Sequence, residues 1–115
     1  MHKIEKTQYG FKLTFGGFIQ QSEMQDWLEE SRKLLAKAMG KFGIFVDMRA
    51  LKPLPPDSQE AMKEGQQLYK AKGMERSVVI LNDAVTKMQF TRIARQTGIY
   101  QWERYIDASS TPNWE

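Results

Sequence analysis

Gly43-Ile44-Phe45-Val46-Asp47 is an apolar run that ends in an acid, and the chain soon breaks into prolines at Leu51-Lys52-Pro53-Leu54-Pro55-Pro56 before Asp57-Ser58. The unbroken apolar character suits an interior strand covered on both faces, with Asp47 at its C-terminal end. Three prolines remove backbone donors and fix extended or turn geometry, so residues 51–56 read as a rigid connecting loop. Asp57 and Glu60 form a capping-box pattern that opens a helix. Ala61, Met62, Gly65, Leu68 and Tyr69 line one face of that helix, and Gly73 stops it. A short β-rich strand over residues 77–81 follows.

Upstream of this unit, Phe11, Leu13 and Phe15 alternate with Lys12 and Thr14, and Tyr9-Gly10 marks a turn after residues 4–8. This is a hairpin with one apolar face. Ser22 and Gln25 supply a second capping-box pattern, and Met24, Trp27, Leu28, Ser31, Leu34, Leu35 and Ala38 recur at helical spacing up to Gly40. Downstream, Asp83 is an N-cap for a third helix that runs to Thr97 with Gly98 as its stop. Residues 100–106 read as a final aromatic strand, and the tail 108–115 as irregular. Two strands followed by three helix–strand units predict a single α/β domain spanning 1–115, with a mixed sheet of about five strands and three main helices.

At 115 residues, 41% hydrophobic and 27% charged, the composition is that of one globular domain. The absence of cysteine removes disulfides, thiolate zinc sites and cysteine nucleophiles. No stretch approaches the roughly 18 apolar residues of a membrane span, and the N-terminus lacks a secretory pattern, so a cytoplasmic location is expected. The basic excess is evenly distributed: residues 1–60 carry nine Lys and Arg against eight acids, and residues 61–115 carry eight against six. Nucleic-acid binding, which needs a basic face, is therefore not expected.

The element order, with Phe45-Val46-Asp47-Met48 and Asp57-Ser58 at the start of the following helix, resembles the STAS fold of anti-sigma-factor antagonists and the wider SpoIIAA-like superfamily. The segment Phe90-Thr91-Arg92-Ile93-Ala94-Arg95-Gln96-Thr97-Gly98 is similar to small bacterial proteins grouped with STAS and Sec14-type lipid-binding domains. The resemblance implies a non-enzymatic regulatory protein-interaction module and, at Asp57-Ser58, a phosphorylation turn. The chain departs from the family pattern there, with Gln59-Glu60 in place of Ser or Thr followed by Gly.

Ser58 has two readings. Phosphate at the first turn of a helix would meet free amides and a favourable dipole, whereas an ordinary helix-start serine beside Asp57 needs no modification. Asp47, Asp57 and Asp83 read as caps and surface acids rather than a magnesium site, and no metal or cofactor is expected. His2 is the only histidine, and Gly-x-Ser-x-Gly, dinucleotide-fingerprint and phosphate-loop spacings are absent, which excludes the corresponding motif-defined enzymes.

The third helix has two apolar sides. Thr86, Phe90, Ile93, Ala94 and Thr97 form one, while Ala84, Val85 and Met88 lie on the other with Arg92 and Arg95. The second side suits a protein partner or a second copy in a homodimer, unless the tail covers it through Trp114. The competing reading is a small apolar or lipid-like ligand held between helices and sheet, suggested by seven methionines.

Overall fold

A computed structural model of the chain describes residues 1–37 and 40–106. Along these residues run β1 (His2–Lys6), β2 (Gly10–Gly17), α1 (Gln21–Leu35), β3 (Phe42–Leu51), α2 (Pro56–Ala71), β4 (Met74–Ile80), α3 (Ala84–Thr97) and β5 (Glu103–Ile106). The expected α/β class and mixed five-stranded sheet are present. The strands lie side by side in chain order, β1 antiparallel to β2 and every later neighbour parallel. With strands in sequential order, right-handed crossovers carry all connecting helices over the same face of the sheet. The burial alternation agrees: Phe11, Leu13 and Phe15 of β2 and Ile44, Val46 and Met48 of β3 are buried, while Lys12, Thr14, Phe45, Asp47 and Arg49 between them are only partly covered or exposed.

This corrects the reading of β3 as a strand covered on both faces and ending at Asp47. The strand has ten residues, and Asp47 lies inside it, in register with Thr14 and Ile80. Its carboxylate accepts from Arg49 Nε at 3.0 Å and from the far guanidinium nitrogen at 2.7 Å. That bond, more than the opposing burial, holds the Asp47 carboxyl below the usual range. Phe45, on the same helix-free face, has the Lys12 ammonium 6.0 Å from its ring centre.

Several element ends also shift. The helix α1 is capped by Gln20, whose carbonyl accepts from the amides of Glu23 and Met24, so Ser22 and Gln25 form no capping box. Leu34 is exposed, and Ala38 lies outside the described residues. In α2, Pro55 is the N-cap and Pro56 the first helical residue, so the Asp57–Glu60 box is not formed either. Proline suits that position because its missing N–H would have no intrahelical partner. The β4 strand starts at Met74 rather than Ser77, and residues 100–102 form a turn ahead of β5. The α3 signals hold as read: Asp83 caps it, and Gly98 ends it at φ +86°, a left-handed conformation that favours glycine.

The outer strand β1 is tied to α1 by His2, whose Nδ1 lies 2.8 Å from Glu23 and whose Nε2 lies 3.1 Å from Glu30. Burial lowers the imidazole pKa, but the two carboxylates outweigh it and leave it raised. Beneath α1, the indole of Trp27 stacks on Tyr69 of α2 with centroids 5.7 Å apart and meets Phe15 of β2 edge-on at 5.4 Å. The stack is possible because Gly65 has no side chain: a Cβ there would fall 2.1 Å from the indole ring.

Gly65→Ala is therefore expected to destabilise the fold by about 1–3 kcal/mol through overpacking, against a gain of roughly 1 kcal/mol in helix propensity. Urea denaturation measures the sum. A stabilised variant would contradict the packing described.

Candidate interaction surface

The geometry of α3 starts at its cap. Asp83 Oδ2 accepts from the Thr86 amide at 2.8 Å and from the Thr86 hydroxyl at 2.9 Å, and the amide bond, first, holds the Asp83 carboxyl below its usual value. With the start fixed, the 3.6-residue period buries Thr86, Phe90, Ile93, Ala94 and Thr97 against the sheet and α2, the inward side expected from sequence. The opposite side is left in solvent. Val85 is 52% exposed and Met88 71%, the most exposed large apolar side chain in the described chain. Burying groups of this size against a partner is worth about 1.5–3 kcal/mol each.

The structure also places Arg92 and Arg95 on this side. Arg92 donates to the side-chain oxygen of Gln59 on α2, and the Arg95 guanidinium lies 4.6 Å over the Tyr100 ring. With Lys87 they give α3 three cations and no acid, whereas α1 carries four acids and two bases and α2 three acids and two bases. The two halves of the chain are nearly balanced in charge, but the stretch 84–97 that forms α3 carries three cations and no acid.

Gln59 and Gln89 adjoin this surface, and the sequence reading missed them. Both side chains donate to the Leu54 carbonyl, at 2.8 and 3.1 Å, and Gln89 also accepts from the Leu54 amide at 2.8 Å. They tie the proline loop to α3 and bring Gln59 to Arg92. A lone glutamine has too many surface roles for its spacing to reveal this contact.

Asp57 and Ser58 both lie in the first turn of α2. Asp57 is exposed and accepts from the Ser58 amide at 2.8 Å, but Ser58 is fully buried and its hydroxyl donates to the Ile19 carbonyl at 3.1 Å. The hydroxyl fastens the first turn of α2 to the segment before α1. A phosphate there would require that turn to move, and the enclosed hydroxyl suits the structural reading of Ser58. Asp47, Asp57 and Asp83 do not gather, and among the described residues no group of three or more His, Asp or Glu side chains is placed to hold a metal. The tail, including Trp114, lies outside the described residues.

Between helices and sheet there is a cavity of about 30 Å³, lined in part by Trp27, Gln66, Ser77 and Glu103. A space of roughly 10–15 Å³ admits a water molecule, so this one suits water; ligand pockets run to about 300 Å³ and more. The Trp27 indole N–H is the buried side-chain polar atom left without a partner among the described residues. Glu103 is buried as well, accepting from Ser77 Oγ at 2.6 Å and Tyr105 Oη at 2.5 Å. Burial raises its pKa against the lowering effect of both hydroxyls. The methionines Met24, Met48, Met62 and Met74 are buried in the core cluster, as gap-filling residues, and do not line an acyl-sized chamber.

Scans of the chain against protein-family models, curated proteins and solved structures found no match in any of the three. No helix among the described residues is long and apolar enough to cross a membrane.

The buried carboxyl has a pH signature. An acid whose pKa rises on folding binds more protons folded than unfolded, so stability falls as pH climbs above the unfolded value of about 4.3. Glu103→Gln is expected to raise the urea midpoint at neutral pH and to leave it little changed at about pH 3, well below the unfolded value, where the carboxyl is protonated both folded and unfolded. A midpoint lowered equally at both would show that the acid itself stabilises the fold.

Proposed function

We propose that this chain is a non-enzymatic, regulatory protein-interaction module of the STAS or SpoIIAA-like kind, acting in the cytoplasm and docking through the outward face of α3. The observation that carries the reading is the exposure of Met88 and Val85 on a helix whose opposite side is wholly built into the core. Isolated exposed apolar residues are ordinary, but here two lie one helical turn apart beside pinned arginines, the mixture of adaptable apolar and guanidinium groups that suits interfaces. Sheet order and the placement of three helices agree with the resemblance in the sequence. Regulation would follow from competition for this face rather than from a charge added at Ser58, because that hydroxyl is enclosed. For the lipid-like alternative between helices and sheet, the cavity found there among the described residues is only about 30 Å³.

Replacing Met88 by a photoreactive phenylalanine analogue in the host tests the surface, with the same replacement at exposed Gln67 on α2 as control. Irradiation is expected to give a discrete protein adduct from position 88 and none from 67. The adduct's mass separates a second copy of this chain, the homodimer expected from the same face, from a different protein. Equal labelling at the two positions, or none at 88, would overturn the reading.

A further inference from the structure

Arg92 and Arg95 are held in place by groups that leave their charge standing. The partner of Arg92 is the neutral amide of Gln59, and that of Arg95 is the Tyr100 ring. By contrast, Arg32 meets Glu64 at 3.0 Å and Arg49 meets Asp47 at 2.7 Å. No carboxylate pairs with Lys87, Arg92 or Arg95 among the described residues, and α3 itself contains no acid. Val85, Met88, Arg92 and Arg95 follow one another at intervals of three, four and three residues. At 1.5 Å rise per residue this makes one line about 15 Å long, apolar at its start and cationic at its end.

We propose that Arg92 and Arg95 form a carboxylate-binding site for an acidic amphipathic segment of a partner protein, whose apolar side chains pack on Val85 and Met88. The proposal rests on α3 being the docking face and adds the chemistry of what docks. A guanidinium is a planar fork that matches a carboxylate with two parallel hydrogen bonds. Pinning by Gln59 and Tyr100 reduces the side-chain freedom to be lost on binding, which favours association. An anionic bilayer would gain only about fivefold in affinity per surface cation, so three cations and two apolar side chains suit it poorly.

The test titrates the whole, isotope-labelled chain with a synthetic helical peptide bearing leucines on one side and glutamates on the other, followed by amide NMR. A second peptide with glutamine for glutamate and vesicles containing phosphatidylserine are titrated in parallel. Saturable shifts confined to α3 and its flanks are expected with the acidic peptide, weakening with salt and by about tenfold or more in Arg92→Gln/Arg95→Gln. Unchanged spectra elsewhere show that this variant is folded. Equal binding of the glutamine peptide, no saturable shift, or preferential binding of vesicles would overturn the proposal. A protein cross-linked through position 88 that binds Arg92→Gln/Arg95→Gln undiminished would overturn the carboxylate site alone, whereas the absence of any adduct at 88 removes the docking face itself.

Discussion

The seating of the Trp27 indole on Gly65 is the contact on which the rest of the arrangement depends. It lets α1 and α2 approach until Trp27 and Tyr69 stack, and Tyr69 then reaches Phe42 of β3, which meets Phe11 of β2 edge-on at 5.6 Å. Ser31 and Tyr69 close the same junction with a buried hydroxyl pair at 2.8 Å, and burial pushes the Tyr69 pKa up to about 12. One aromatic chain therefore joins two helices to two strands. Dense packing of this kind tolerates little added volume, so a single missing side chain sets the distance between two helices.

That junction also explains why α3 has a free side. The helix α2 is occupied by α1 on one flank and receives α3 on the other, through the hydrogen bond between Thr97 and Gln66 at 2.8 Å and through the Gln59–Arg92 contact. With the helices on one face of a sheet in sequential order, α3 has a neighbouring helix on only one flank. Its inward side completes the core, and its outward side is left with Val85, Met88 and the arginines. The surface proposed for function is thus a consequence of topology rather than a defect in packing.

The parts of this that sequence makes legible are those governed by local rules. Asp83, Gly98 and the inward side of α3 follow from capping and period alone, and the alternation in β2 gives its buried face. The failures share a cause, which is dependence on distant residues. An apolar run such as Ile44-Phe45-Val46 does not say whether one or both faces are covered, and the outward turn of Phe45 is served by Lys12 from another strand. Ser22–Gln25 and Asp57–Glu60 have capping spacing, but Gln20 and Pro55 begin the helices. Ser58 reads as accessible until Ile19, 39 residues away, is seen to accept its hydroxyl. The positive charge of α3 is legible in the acid-free stretch 84–97, and a count over halves of the chain averages it away.

The central claim is that Val85 and Met88 serve something other than the fold. The unfolding free energy of a Val85→Ser/Met88→Ser double variant, measured by chemical denaturation on the full chain, tests it most directly. Side chains that contribute no core contacts predict a change within about 0.5 kcal/mol per site. A loss of roughly 2 kcal/mol or more would mean that these residues are buried by the chain itself, and the surface proposed for docking would not exist.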